Sequence, residues 1–410
     1  MIVISGADLI LPDRILSSGT LVIDGSRIAE IREGVQPDSA LAFPGHYIVP
    51  GFIDVHVHGI EGVDTLGGAA AIESIAGRLP RFGVTAFCPT TVACPPDALR
   101  LVLEQVRRAR ETPPHGARVL PAHLESNFIS AEYKGAQPAG CLRNPRAALQ
   151  GRAHTGPTGQ AANASWERGD FDGADILREI ERAAADVGIV TVAPELDGGL
   201  DLVAWLASRG HRVSLGHSGA DYEVALEAIA VGARHATHLF NRMPPLRHRS
   251  PGLAGAVLQT GDVAAELICD GFHVHPAMLK MAIAAKRPSR IFAITDGTAA
   301  AGLPVGAHAS LGGQTITVGK QAAYLDDGTL AGSVLTMDRA FQMLVGTVGL
   351  SLVDAATLCA TTAARELGLV GHGVLATAAS ADLVILDPEL CVAQTYVGGQ
   401  LVYWRDRPTA

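Results

Sequence analysis

Six residues of metal-binding type stand at or near the ends of separate apolar runs. His56 and His58 lie in "GFIDVHVHG", Glu125 interrupts "VLPAHLES", His217 and His238 close "RVSLGH" and "HATH", and Asp296 ends "RIFAITD". Neutral imidazole and carboxylate are the ligands of zinc, iron and similar divalent metals. Side chains alternate along a strand, so His56 and His58 point the same way. His217 and His238 are one strand-plus-helix repeat apart, which sets equivalent imidazoles on neighbouring strands. A carboxylate buried at Glu125 is costly without a positive partner, and a metal would be that partner. Asp296 is a candidate ligand or a general base able to take a proton from activated water. A lone buried histidine is ordinarily a hydrogen-bonded core residue. Six compatible groups at five strand ends go well beyond that.

A second cluster follows His238. The Pro-rich "NRMPPLRHRSPG" carries Arg242, Arg247, His248 and Arg249, and His273 follows another strand in "CDGFHVH". Charge runs are usually solvated, yet in an acidic protein arginines beside a metal suit an anionic group such as phosphate. The remaining histidines read as bland. His46, His115, His154, His211, His235, His308 and His372 are expected at loops or helix edges, and His275 has no ligand claim. His123 alternates with Glu125 and is expected beside the ligands. Glu195, in "VAPE", reads as structural.

These groups need a scaffold that gathers strand ends. Eight β-like runs alternate with helical patterns: "GFIDVHV", "VTAFCPTT", "VLPAHLES", "IVTVAPE", "RVSLGH", "HATHLF", "AAELICD" and "RIFAITD". That rhythm predicts an α/β fold, a (β/α)₈ TIM-type barrel over residues 49–372, whose catalytic groups collect at the C-terminal ends of the strands. Between two of the runs, Asp221 reads as a helix N-cap and Gly232 as its stop. Residues 1–48 and 373–410 instead read as short strands, with turns at Asp24-Gly25 and Gly398-Gly399. They predict one small β-sandwich domain built from both termini. Residues 134–175 read as a long irregular loop, and 305–332 as an insertion with a hairpin near "LGGQTITVG".

The 410 residues are 48% apolar and carry a net charge of −9. A core of useful size can form, and nucleic acid and anionic membranes are poor partners. Apolar stretches fall short of a membrane span, and the N-terminus lacks a signal-peptide pattern, so the expected location is the cytoplasm. Six scattered cysteines without a CxxC pair read as reduced packing residues.

The ordered set "PGFIDVHVHG", "HLE" with "KGAQ", "APE", "SLGHS", "ATHLFNRM", "PGLAG", "DGFHV", "TDG" and "GTLAGS" resembles the N-acetylglucosamine-6-phosphate deacetylase family of the amidohydrolase superfamily. The resemblance runs over nearly the whole chain. It implies hydrolysis of the N-acetyl group of an amino-sugar 6-phosphate in a homodimer. By position it implies Glu125, His217 and His238 as main metal ligands and Asp296 as the catalytic acid and base. It also implies substrate contacts at Ala136, Gln137, Asn241, Arg242, Arg249 and His273, and at Leu330, Ala331 and Gly332. Arg249 and His273 are expected to reach the partner subunit's site. With His56 and His58 retained, one or two ions, zinc or iron, are expected. The chain departs from the family at Ser126-Asn127, where Gly-Pro is usual, at Gln137, where histidine is common, and at Arg242, where a small residue is common. Ser126 and Asn127 are thus expected to place polar side chains beside the metal.

Two other enzyme readings are a deacetylase of the galactosamine epimer or of an unphosphorylated sugar, and a cyclic-amide hydrolase. The last typically uses a carboxylated lysine, and the four lysines here, 134, 280, 286 and 320, lie outside the expected strands. A non-catalytic ligand-binding barrel would have lost ligands or base, and every expected position is filled.

Overall fold

The computed structural model describes residues 1–36, 41–151 and 170–405. Eight parallel strands form the centre: β1 (Phe52–Val57), β2 (Val84–Thr91), β3 (Ala122–Leu124), β4 (Val187–Val192), β5 (Arg212–Leu215), β6 (His235–Ala236), β7 (Ala264–Ile268) and β8 (Ile291–Ile294). Each pairs in parallel with the next. A bridge from Val57 to Gly297 brings the end of β1 against the chain leaving β8 and nearly closes the ring. Each of the eight apolar runs read from the sequence holds one of these strands. They are buried on both faces, which is why they read as continuous apolar runs rather than alternating ones.

Helices cover the outside of the ring. In Pro96–Glu111 the buried Leu99, Val102, Leu103 and Val106 recur at helical spacing and turn one stripe toward the strands. Asp221 caps Tyr222–Ala230 by accepting from Val224 N at 2.8 Å, and Gly232 follows in a positive-φ conformation.

The terminal strands form one eight-stranded sheet, in the order Gln400–Trp404, Val392–Val397, Leu383–Leu386, Tyr47–Pro50, Ile2–Ile10, Ile15–Asp24 and Arg27–Arg32, with Leu41–Ala42 alongside Ile2–Ile10. Residues 378–381 hydrogen-bond back to Ser26 and Ile28. Ile4, Leu9, Leu21, Ile28, Leu383, Ile385 and Tyr396 share one core. The sandwich is therefore a single curled sheet. Its second hairpin, Ile15–Asp24 with Arg27–Arg32, turns at Gly25-Ser26, one residue later than expected, because Asp24 still pairs with Arg27.

The stretch 134–175 is not one loop. Ala139–Cys141 forms a helical turn and Pro145–Gly151 an α-helix, while residues 152–169, with His154, lie outside the described residues. The later insertion is a four-stranded antiparallel sheet: His308–Leu311, Gln314–Val318, Ala322–Tyr324 and Leu330–Ser333. Among the described residues, no helix is long and apolar enough to cross a membrane.

Candidate active site

Parallel pairing aligns Leu215 of β5 with Ala236 of β6, so His217 and His238, each two residues further on, stand at the same height. Asp296 lies two residues past β8, Glu125 directly after β3, and His56 and His58 at the end of β1. His217 (φ 48°), His238 (φ 30°) and Asp296 (φ 49°) all adopt the left-handed region. Non-glycine residues there cost roughly 1–3 kcal/mol each, and such strain concentrates at functional sites. It turns the three side chains inward from the strand ends.

The six groups meet. Glu125 Oε1 lies 2.8 Å from His217 Nε2 and 2.9 Å from His238 Nε2, and Oε2 lies 3.4 Å from His58 Nε2. The Nε2 atoms of His217 and His238 are 3.0 Å apart, and those of His56 and His58 are 3.1 Å apart. Asp296 Oδ1 is 3.4 Å from His56 Nε2 and 3.3 Å from His58 Nε2. Ligand atoms around a tetrahedral zinc, with bonds of about 2.0–2.1 Å, lie roughly 3.3 Å apart. Two donor triads result, Glu125–His217–His238 and His56–His58–Glu125, and they share Glu125.

The imidazoles are oriented from behind. His217 donates Nδ1–H to Tyr133 O at 2.7 Å and His56 to Glu266 Oε2 at 2.9 Å, which leaves both Nε2 lone pairs facing the centre. Burial pushes His56 down to about 4, so it is neutral, the form that binds metal. Desolvation also opposes charge on His58 and His238. The neighbouring Asp296 and Glu125 outweigh it at His58, and Glu125 does so at His238, raising them to about 10 and about 9. Burial likewise opposes ionisation of Glu125, but His217, His238 and His58 hold its carboxyl well below the usual range. The buried carboxylates thus demand positive charge here, as protons on imidazoles or as a divalent cation in their place. This donor set fits a divalent metal.

Above the cluster opens a cavity of about 470 Å³ whose lining includes Glu125, Ala136, Gln137, His217, His238, Asn241, Arg242, His273, Asp296, Leu330 and Gly332. Gly332 (φ +64°) has no room for a side chain, since an added Cβ would sit 2.5 Å from Thr298 Cγ2. Ser333 N donates to Asp296 O at 2.9 Å, so the Leu330–Ser333 strand braces the candidate base. Arg242 Nη2 comes within 3.5 Å of Leu330 O.

Several expectations are corrected. Ala331 is fully buried and off the cavity wall, because alternate residues of its strand face the insertion core. Arg247 and His248 are exposed and outside the cavity; Arg249, expected at a partner's site, is likewise exposed and outside the cavity of its own chain. His273 lines its own chain's cavity, held by Asp270, whose Oδ2 lies 2.6 Å from Nδ1. Ser126 and Asn127 turn away from the metal end. Ser126 donates to Thr191 O at 2.6 Å, and Asn127 Nδ2 to Cys94 O at 2.9 Å and Cys141 O at 2.8 Å. Gln137 instead reaches the centre, with Nε2 donating to Glu125 Oε2 and Oε1 accepting from Ala93 N at 2.7 Å. His211 and His235 are buried rather than peripheral, since His235 opens β6 itself. Glu195 has a partner in space, accepting from Ser218 and Gly219 beyond His217.

Glu266 escaped the sequence reading. It sits fully buried inside β7 behind His56, and the signal was present: a glutamate within the apolar "AAELICD", the same pattern that singled out Glu125. Glu132, Tyr133 and Phe240, which also line the cavity, carry no such signal.

Residues 47–402 match the family model "Amidohydrolase family". The mouse N-acetylglucosamine-6-phosphate deacetylase is 37% identical over 95% of this chain and 94% of its own. The Bacillus subtilis (strain 168) protein of that name is 33% identical over 87% and 84%. A Mycobacterium smegmatis N-acetyl-D-glucosamine-6-phosphate deacetylase mutant, solved with N-acetyl-D-glucosamine-6-phosphate, superposes with a TM-score of 0.85 at 30% identity, covering 98% of this chain and 99% of that one. With the barrel, the terminal sheet and the strand-end cluster all in place, the chain belongs to the amidohydrolase family, in the branch formed by the N-acetylglucosamine-6-phosphate deacetylases.

Proposed function

We propose that this amidohydrolase hydrolyses the N-acetyl amide of N-acetylglucosamine 6-phosphate, releasing acetate and glucosamine 6-phosphate. The observation that carries this reading is one cavity that is lined both by the metal-binding Glu125, His217 and His238 and by the polar and cationic Arg242, Asn241 and His273. The solved deacetylase complex contains this substrate. Glu125, His217 and His238 would hold one zinc or iron ion, and His56 and His58 with Glu125 would serve where a second is bound. Bound metal polarises a carbonyl and makes water more acidic.

The chain's own residues do the rest. Arg242, Asn241 and His273 bind the phosphate end and so fix the amide over the cluster. Asp296, which lines the cavity, accepts the proton of the attacking water and then delivers it to the departing nitrogen. That second transfer matters because an amine anion is a poor leaving group. Gln137 and Glu266 keep Glu125 and His56 in position. The enzyme works as a homodimer in which the exposed Arg249 enters the cavity of a second copy.

Acetate release from N-acetylglucosamine 6-phosphate, its galactosamine epimer and the unphosphorylated sugar tests the reading. Turnover should be highest on the first. Asp296→Asn should keep its metal and lose roughly 10²–10⁴-fold in turnover. Absence of acetate from every phosphorylated sugar overturns the proposal.

A further inference from the structure

A second cleft, of about 510 Å³, opens at the other end of the barrel among the N-terminal ends of β5 to β8. Arg212 begins β5, Arg234 directly precedes β6, and Arg290 directly precedes β8. With Arg365, four arginines line the cleft against two carboxylates, Asp262 and Glu366, in a chain of net charge −9.

Arg365 is engaged with Glu366 and Ser289 O, whereas the other three arginines use only part of their hydrogen-bonding capacity on the protein. Arg212 gives Nε to Glu366 O. Arg234 gives Nη1 to Ile229 O and Ala233 O, each at 2.7 Å. Arg290 gives Nη1 to Glu366 Oε1 at 3.1 Å. A guanidinium has five N–H donors, so most of these remain for a ligand.

Two buried imidazoles supply an independent observation. His235 is 1% exposed, and among the described residues neither ring nitrogen has a hydrogen-bond partner. Its Nε2 lies 3.8 Å from Glu366 Oε2, too far for a hydrogen bond. His211 is 6% exposed, donates Nδ1–H to Val187 O at 3.0 Å, and has no partner for Nε2 among the described residues. Buried polar atoms are nearly always paired, and both rings line the cleft where the guanidinium groups gather.

We propose that this cleft binds a phosphate group, free or carried by a small metabolite. The planar forks of Arg212, Arg234 and Arg290 hold its oxygens, and the imidazoles of His211 and His235 complete the site. Arg212 and His217 share the β5 segment and, at about 3.3 Å per residue, lie roughly 17 Å apart, so one phosphate does not serve both ends. The proposal is independent of the reaction assigned to the metal end.

Calorimetric titration of the metal-loaded enzyme with inorganic phosphate, glucosamine 6-phosphate and glucosamine tests it. Arg290→Gln should weaken phosphate binding about tenfold or more. Asp262→Asn, which removes an exposed negative charge from the cleft wall, should tighten it several-fold. Both variants should keep the wild-type kcat/KM for acetate release. An Arg290→Gln loss equal for inorganic phosphate and glucosamine 6-phosphate identifies the free ion as the ligand of the cleft; a larger loss for the sugar phosphate identifies the ester. Unchanged phosphate affinity in both variants, or phosphate binding that is wholly competitive with substrate, overturns the proposal.

Discussion

At the C-terminal end of the barrel, Glu125 faces imidazoles whose ring nitrogens also face one another at 3.0 and 3.1 Å. At the N-terminal end, Glu366 is met by the guanidinium groups of Arg290 and Arg365. Both ends bring cations to a carboxylate, but the cations differ in kind. Arginine stays protonated at any pH the fold survives, whereas an imidazole gives up its proton readily and offers a lone pair in return. The first end therefore suits an exchangeable cation and the second a permanent pair. Asp382 follows the second pattern where the barrel meets the terminal sheet, taking Arg118 Nε at 3.2 Å and Gly398 N at 2.6 Å.

The sharpest break in this comparison is Glu125→Gln. It removes the carboxylate shared by both donor triads, so metal analysis should find the site depleted and turnover should fall about 10³-fold or more. Full metal content with normal turnover would mean that the two ends do not differ as described. Next in size is Glu266→Gln. It alters the acceptor behind His56, and metal affinity measured by chelator competition should fall roughly 10–100-fold. A smaller effect separates functions within the C-terminal end. Asn127→Ala leaves two buried carbonyls without their donor, so denaturant unfolding should show a loss of about 1–3 kcal/mol while the preference among sugars stays the same. A changed sugar preference would restore Asn127 to the substrate pocket.

Acid titration compares the two ends directly. Burial alone would raise Glu366, but the nearby His235 imidazole and the Arg365 guanidinium prevail and lower it to about 2. Asp382, opposed by burial in the same way, is lowered to about 2 by His372 and Arg118. A depressed carboxyl contributes stability that is complete above its unfolded value, near 4, and is lost as pH falls toward the folded value. Fold stability should therefore decline between about pH 4 and pH 2. Metal held by imidazoles is released by protonation at higher pH. Turnover should disappear while circular dichroism still reports a folded chain, and simultaneous loss of both would contradict the contrast.

Much of this was legible in the residues. The eight apolar runs are local patterns, because a strand buried on both faces writes itself as a continuous apolar stretch. The spacing of His217 and His238 is also local, since one repeat of helix and strand returns the chain to the same height. Glu125 was legible as a carboxylate where only apolar residues belong. Glu266 carries the same mark, a carboxylate inside an apolar strand, two residues before the strand's end at Ile268.

The sequence by itself determined which strands exist, in what order, and which side chains of metal-binding type stand at their ends, since these follow from periodicity and side-chain chemistry. Only the tertiary structure decided where the residues beyond the strand ends point. Left-handed backbone at His217, His238 and Asp296 turns them inward, and distant carbonyls on Thr191, Cys94 and Cys141 draw Ser126 and Asn127 away. Gln137 reaches Glu125 across a loop, and Arg249 is left outside its own cavity. Past the last ladder hydrogen bond, alternation no longer sets a side chain's direction. Long-range packing and hydrogen bonding fix it instead, and those partners are far apart in sequence.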